Sequence, residues 1–248
     1  AEGNIIAVVI FAAFIGMAIR RLSKKYDEII EPFVKWIEAS YKIILSVAMT
    51  IIKFMPYAVI ALFANTLTSR GIGILVSVGK FIAALYLGIV IMFIVHLMIA
   101  ALNGISPVIY IKKSAEPLIL AFTSRSSLGT LPVLIETLNK QFNVDEGVAS
   151  FVGSLGSNMG MNGCAGLYPS LMTVMLAQMV GIEMNVSFYI MLAIVIAISS
   201  LGIAGLPGTA TLAISVVISG MGMGEYFPLL GAIIAIDPIL DMGRTFLN

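Results

Sequence analysis

Thr123-Ser124-Arg125-Ser126-Ser127-Leu128-Gly129-Thr130 interrupts an otherwise apolar part of the chain, and the fold turns on how it is read. The apolar run before it covers residues 117–122 and the run after it 131–138. Neither arm reaches the roughly 20 residues that carry a helix across a bilayer. Two half-length arms around a polar tip predict a re-entrant helical hairpin. Backbone interrupted in this way survives at membrane depth only where protein or a water-filled cavity surrounds it.

The same design returns downstream. Residues 188–199 are apolar, Gly202-Ile203-Ala204-Gly205-Leu206-Pro207-Gly208-Thr209 interrupts, and residues 210–218 resume. Between the hairpins a helical stretch breaks at Gly156-Ser157-Asn158-Met159-Gly160-Met161-Asn162-Gly163-Cys164, and after the second hairpin residues 229–248 form another helical pattern. The order hairpin, helix, hairpin, helix is a structural repeat without obvious sequence identity. Paired interrupted segments in corresponding positions are the sequence pointer to a transporter's midplane binding site.

Composition agrees. The 248 residues are 60% hydrophobic and 11% charged, with a mean hydropathy of +1.07, whereas soluble domains carry about 25% charged residues. That apolar surplus exceeds one soluble core and calls for lipid as solvent. A net charge of +1 and the lack of a basic patch with interleaved aromatics argue against nucleic acid as a partner. The single cysteine, Cys164, excludes an internal disulfide, and one cysteine with one histidine cannot build a zinc site. The pattern implies no cofactor. The chain opens at Ala1 inside an apolar stretch and closes at Asn248 inside a helical one, so it is expected to be part of a longer protein.

Upstream, the apolar run 5–19 ends at Arg20, Arg21, Lys24 and Lys25, which marks a cytoplasmic end. The next helix begins near Tyr26 with Glu28, Glu31, Lys35, Glu38 and Lys42 on one stripe, a solvated or interfacial face with Glu31–Lys35 and Glu38–Lys42 pairs in the favourable order. It turns apolar over 43–52 and is expected to break near Pro56. A third helix over 74–102 is long enough to span, followed by Lys112 and Lys113. His96 within it is either a packed side chain with one hydrogen bond or a proton relay.

The chemistry concentrates in the last segment. Asp237, Asp241, Arg244 and Asn248 are spaced four, three and four apart and share one helical face. Charges at membrane depth cost about 2.5–3.5 kcal/mol each on insertion scales. Asp241 and Arg244, at i,i+3, are able to neutralise each other, but one arginine cannot fully balance two aspartates, and the helix faces two polar tips. The set suits a zwitterion: Asp241 for an ammonium and Arg244 for a carboxylate. Ser126, Ser127 and backbone N–H groups at the half-helix N-termini suit a second carboxylate. The glycines and Pro207 of the second tip make a flexible turn, which a gate requires. Carbonyls freed over 160–163 suit a hard cation such as sodium.

At these residues the sequence resembles the dicarboxylate/amino acid:cation symporter family, the glutamate-transporter homologues. The matching stretches are Ser124-Arg125-Ser126-Ser127-Leu128-Gly129-Thr130-Leu131-Pro132, Gly205-Leu206-Pro207-Gly208 and Asp237-Pro238-Ile239-Leu240-Asp241-Met242-Gly243-Arg244-Thr245, closed by Asn248. Ala1-Glu2-Gly3-Asn4 is similar to the family's entry to the end of its fourth helix, so the resemblance covers essentially the whole chain.

The resemblance implies an all-α integral membrane protein of the plasma (inner) membrane, a homotrimer whose protomers each combine a static scaffold with a transport domain moving like an elevator. Residues 1–54 would be scaffold and 55–248 transport domain. Within the latter it implies a sixth helix, a first hairpin over about 106–140, a seventh helix over 145–180, a second hairpin over 185–222 and the start of an eighth helix over 226–248. It implies Asp241 as amino-group partner and Arg244 as partner of a side-chain carboxylate. Ser127 and the tip near Gly205 would meet the main-chain carboxylate, with Thr245 and Asn248 in support. The candidate cation ligands are Gly156, Gly160, Asn162 and Asn248, and the coupling ion Na+ or H+. No metal is implied beyond that transported cation.

The family's broken-helix motif is Asn-Met-Asp-Gly-Thr, and here Gly160-Met161-Asn162-Gly163-Cys164 stands in its place, so one negative charge is missing from a cation site. With Ala165-Gly166-Leu167-Tyr168-Pro169 following, the motif looks like the L-cystine branch; the rival is uptake of acidic amino acids or C4-dicarboxylates. An intramembrane enzyme fits poorly. Asp237 and Asp241 share one helix instead of converging from two, and His96 has no evident route to Ser127.

Overall fold

The helices of the computed structural model follow the charge and apolarity of the sequence. The structure describes residues 5–52, 54, 57, 60, 61, 64, 68 and 73–248. The stretch Ala1-Glu2-Gly3-Asn4 and the break expected at Pro56 lie outside the described residues. Helix α1 (Ile5–Ser23) carries Arg20 and Arg21 in its last turn, where the carbonyl end of the helix favours cations. Helix α2 (Asp27–Ile52) opens on Asp27 and Glu28. Its pairs Glu31–Lys35 and Glu38–Lys42 form at 2.8 and 2.9 Å with all four side chains exposed, so they contribute little. Helix α1 packs on α2 and on both arms of the second hairpin described below.

Helix α3 (Gly73–Leu102) is apolar on every side. One stripe, Val78, Phe81, Leu85 and Ile89, is buried, while Leu87, Val90, Ile91, Ile94 and Met98 point outward. Within it Val78–Leu102 is a 25-residue segment, long and apolar enough to cross a membrane, and only 11% of its window is buried within the protein. Exposed Leu, Ile and Val at such density is what lipid covers.

The first hairpin forms around the interruption. Helix α4 (Pro107–Ser124) and helix α5 (Ser127–Phe142) have 18 and 16 residues, about 27 and 24 Å at the α-helical rise. The arms are longer than the apolar runs alone suggest because each continues through polar residues at its base. There Lys113 donates to the Gln141 carbonyl and lies 5.3 Å from the Phe142 ring, and Tyr110 meets Phe142 at 5.9 Å. At the tip Arg125 takes a left-handed conformation (φ 56°) and ends α4. Ser126 then caps α5, its Oγ accepting from Gly129 N–H at 2.9 Å.

Helix α6 (Glu146–Gly156) follows, capped by Asp145. The chain breaks, re-enters as a π-turn segment over Asn162–Leu167 and continues as α7 (Tyr168–Val180). The second hairpin is α8 (Val186–Ser199) and α9 (Ala210–Gly220). Tyr168, Met172, Leu176, Ile214, Val217 and Ile218 of α7 and α9 are fully buried and form the centre of the core.

One expectation is corrected here. The segment 226–248 is not a single helix. A 3-10 turn (Gly224–Leu230) and short helix α10 (Gly231–Ala235) meet α11 (Asp237–Leu247) at 86°. Pro238 lies in the first turn of α11, where its missing N–H and ring prevent α10 from continuing. The turn lays the polar face of α11 across the broken helix.

Two contacts set that geometry. A Cβ on Gly163 would fall 2.8 Å from Arg244 Cα, and one on Gly205 would fall 2.7 Å from Ser127 Cβ. The π-turn segment therefore approaches α11, and one hairpin tip the other, as closely as glycine permits. Gly163→Ala is expected to cost about 1–3 kcal/mol of overpacking. This would appear as a lower temperature of aggregation of the detergent-solubilised full-length protein, and unchanged heat resistance would refute the close approach.

Candidate functional site

The bend at Pro238 gives α11 its role. Asp237, Asp241, Arg244 and Thr245 recur at helical spacing on its inward side, with relative exposures of 1%, 3%, 0% and 4%. Full burial of an arginine requires compensating charge. Arg244 Nη2 lies 3.0 Å from Asp241 Oδ1 as a hydrogen bond and 2.8 Å from Asp237 Oδ1 as an ion pair without hydrogen-bond alignment. The guanidinium also stacks on Tyr168, its Cζ 3.7 Å from the ring centroid, a cation–π contact worth up to about 2 kcal/mol when desolvated.

The expected neutralisation of Asp241 by Arg244 thus occurs, but it does not satisfy the cluster. Arg244 Nε and Nη1 and the Tyr168 hydroxyl are buried without a hydrogen-bond partner. Asp237 and Asp241 together carry one negative charge more than Arg244 balances. A forked donor with two free N–H positions beside surplus carboxylate is suited to a group bearing both a carboxylate and a cation. Cys164 completes the cluster, its thiol 3.6 Å from Asp241 Oδ1.

The two hairpin tips close over this face. Leu128 N–H donates to the Gly205 carbonyl at 3.0 Å and Ser126 Oγ to the same oxygen at 3.3 Å. Ser127 opens α5 beside them, and Pro207 follows Gly205, half-buried. The structure therefore brings Ser126, Ser127 and Gly205 together. Asn248 reaches the same place: its Nδ2 is 3.4 Å from Ser127 Oγ, and its Oδ1 accepts from Gly163 and Cys164 N–H at 2.9 and 3.2 Å.

The candidate cation ligands are less united. Gly160 has φ 68° and donates to the Ser200 carbonyl at 3.3 Å, while Gly156 ends α6 and lines one cavity with Asn248. The Asn162 side chain turns to His96, 2.7 Å from Nε2, and not toward Asn248. Among the described residues no three His, Cys, Asp or Glu side chains gather to hold a metal ion. A cavity of about 330 Å³ lies between the arms of the first hairpin, α3, α6 and the end of α11, lined by His96, Ser127, Thr130, Ser157, Thr245 and Asn248 among others. Asp241 and Arg244, both buried, do not line it.

Tyr168 and Asp237 are the residues that sequence reasoning left out of the site. The four-residue spacing from Asp237 to Asp241 placed Asp237 on the right face. Tyr168 has a weaker signal: it follows Cys164 by four residues, on one side of the same segment. Arg244→Leu is expected to cost about 3–5 kcal/mol by stranding two buried carboxylates, and adding Asp237→Asn should restore part of it. Heat resistance of the three proteins in detergent tests this; a double variant no better than the single one would refute the shared ion pair.

Comparison with known proteins assigns the chain to a family. The profile of the sodium:dicarboxylate symporter family matches residues 1–248. The chain is 42% identical over 244 residues to the L-cystine uptake protein TcyP of Bacillus cereus, covering 98% of this chain and 52% of that protein. Identity is 43% over 244 residues to the protein of the same name from Bacillus licheniformis and 42% over 246 residues to that from Shouchella clausii, with the same coverage. The chain thus spans about half the length of the curated relatives it matches. A profile that matches every residue, on a chain whose described elements are helical and include two segments long and apolar enough to cross a membrane, leads to one conclusion: this chain is a membrane protein belonging to the sodium:dicarboxylate symporter family.

Proposed function

We propose that the full-length protein is a secondary active symporter that takes up L-cystine across the plasma membrane, driven by a Na+ or H+ gradient. The observation that carries this reading is Arg244, wholly buried against Tyr168 and the broken helix, with Nε and Nη1 unpartnered beside Asp241. The names of the relatives support cystine as cargo. Cystine carries an ammonium and a carboxylate at each end. Asp241 takes the ammonium of one end and Arg244 the carboxylate of the other. Ser126, Ser127 and the backbone near Gly205 take the proximal carboxylate, aided by the partial positive charge at the start of α5. Thr245 and Asn248 support the substrate, and the Gly205–Pro207–Gly208 turn opens and closes over it.

Residues 1–54 act as scaffold and 55–248 as a transport domain that moves by an elevator mechanism in each protomer of a homotrimer, with both hairpins re-entrant. The arms of about 27 and 24 Å fall short of the roughly 30 Å hydrocarbon core, which supports re-entry. The coupling cation sits at the broken helix, on carbonyls near Gly156 and Gly160 with Asn162 and Asn248. With Asn162 neutral, this site holds a cation less tightly than one built on a carboxylate. A second reading, uptake of an acidic amino acid or C4-dicarboxylate, is favoured by the family's description and by Arg244.

Purified full-length protein in liposomes separates the two. Labelled cystine is expected to enter with an inward Na+ or H+ gradient and labelled aspartate far less. Aspartate uptake in place of cystine would overturn the cargo assignment and leave the site standing. Arg244→Ala is expected to abolish uptake of any substrate with a second carboxylate, by 100-fold or more, on the order of the penalty for losing a charge-assisted bidentate pair. Unchanged uptake would refute the role of Arg244.

A further inference from the structure

We infer that His96 is a positioning residue of the broken helix: by holding Asn162 it fixes the π-turn segment that presents Gly163 and Cys164 to Asn248. The inference rests on the transport reading above for its functional consequence but not for its geometry. His96 is half-buried, seven residues beyond Ile89 in α3, and lines the cavity. An imidazole inside an apolar span needs a partner, and its partner is Asn162, 2.7 Å away and 66 residues on in the chain. With the amide nitrogen facing it, neutral Nε2 accepts; with the amide turned over, Nε2–H donates. Either arrangement ties the same two elements.

What the tie holds is the next two residues. Gly163 N–H and Cys164 N–H are the donors that grip Asn248 Oδ1 at 2.9 and 3.2 Å, and Asn248 Nδ2 passes the connection to Ser127 Oγ at 3.4 Å. Ser127 stands at the tip whose neighbour Leu128 is bonded to Gly205. A line of hydrogen bonds therefore runs from α3 through the break and the end of α11 to both hairpin tips. Residues 157–161 before the π-turn segment are not helical, so the segment has no rigid lead-in on that side and depends on lateral anchors. His96 is the lateral polar anchor from α3, and Gly163 against Arg244 is the steric one from α11. A side chain that only filled space would be replaceable by leucine; a positioning histidine is replaceable by glutamine, whose amide both donates and accepts at a similar reach.

The test uses full-length protein carrying Cys164 as its one cysteine, with His96→Leu, His96→Gln and Asn162→Ala. Cys164 is 6% exposed, so its rate of modification by a methanethiosulfonate reagent reports whether the π-turn segment is held. His96→Leu and Asn162→Ala are expected to label about fivefold faster, the factor that one lost hydrogen bond carries. His96→Gln should stay within about twofold of the parent. In liposomes the Leu variant should raise KM for the transported amino acid by a similar factor with kcat little changed, and Gln should restore it. Parental labelling in the Leu variant, or failure of Gln to restore it, overturns the inference. Should the Leu variant not fold, Asn162→Ala breaks the same bond from the other side, and parental labelling there overturns it equally. If the parent takes up no amino acid, the transport reading fails, while Cys164 labelling still decides the role of His96.

Discussion

Burying Arg244 dominates this structure. A guanidinium with 0% exposure inside a protein that presents Leu, Ile and Val to lipid has no water to fall back on, and the penalty is several kcal/mol per ion before compensation. Asp237 and Asp241 come close enough to compensate only because α11 is a helix with those residues one turn and two turns before Arg244. Tyr168 compensates from another element, which requires the π-turn segment to lie under α11. The close approach at Gly163 follows from that requirement, because any larger residue would push the segment off α11. The residue that makes the site chemically useful is thus the one whose burial dictates how the surrounding elements pack.

The second constraint is that interrupted helices inside a membrane protein must find partners for their free backbone groups. The interruptions near the site find partners on other elements. The first tip donates Leu128 N–H to the Gly205 carbonyl of the second; the break donates Gly163 and Cys164 N–H to Asn248, and Gly160 N–H to Ser200. Few of these bonds are internal to one element. Moving either tip therefore exposes polar backbone that something else must satisfy, and a substrate with carboxylates and an ammonium is chemically equipped to do that.

Much of this was legible beforehand. Half-length apolar arms around 123–130 and around 202–209 predict two re-entrant helical hairpins, and the paired helical arms are present. The four-three-four spacing of Asp237, Asp241, Arg244 and Asn248 placed the polar face of α11, and the ladder from Glu28 to Lys42 predicted an exposed helix face. The turn at Pro238 is not part of the one helix expected over 226–248: the proline ends α10 although the sequence is apolar on both sides of it. The pairing of the Asn162 side chain with His96 has no signal in the sequence, because the two residues lie 66 positions apart.

Sequence alone determined that the chain is largely helical, where both hairpins are interrupted, that its solvent is lipid, and which charged residues share a face. These follow from local chemistry: hydropathy, helical period and the backbone preferences of glycine and proline act over a few residues. Tertiary structure alone decided that both aspartates meet one amino group of Arg244, that Tyr168 lies beneath it, that Ser126 touches Gly205, and that His96 pairs with Asn162. Those partners are separated by up to 79 residues, and no period or spacing encodes which distant face a side chain will meet. Packing chose them, because each buried polar group had to find a partner once the chain had closed around it.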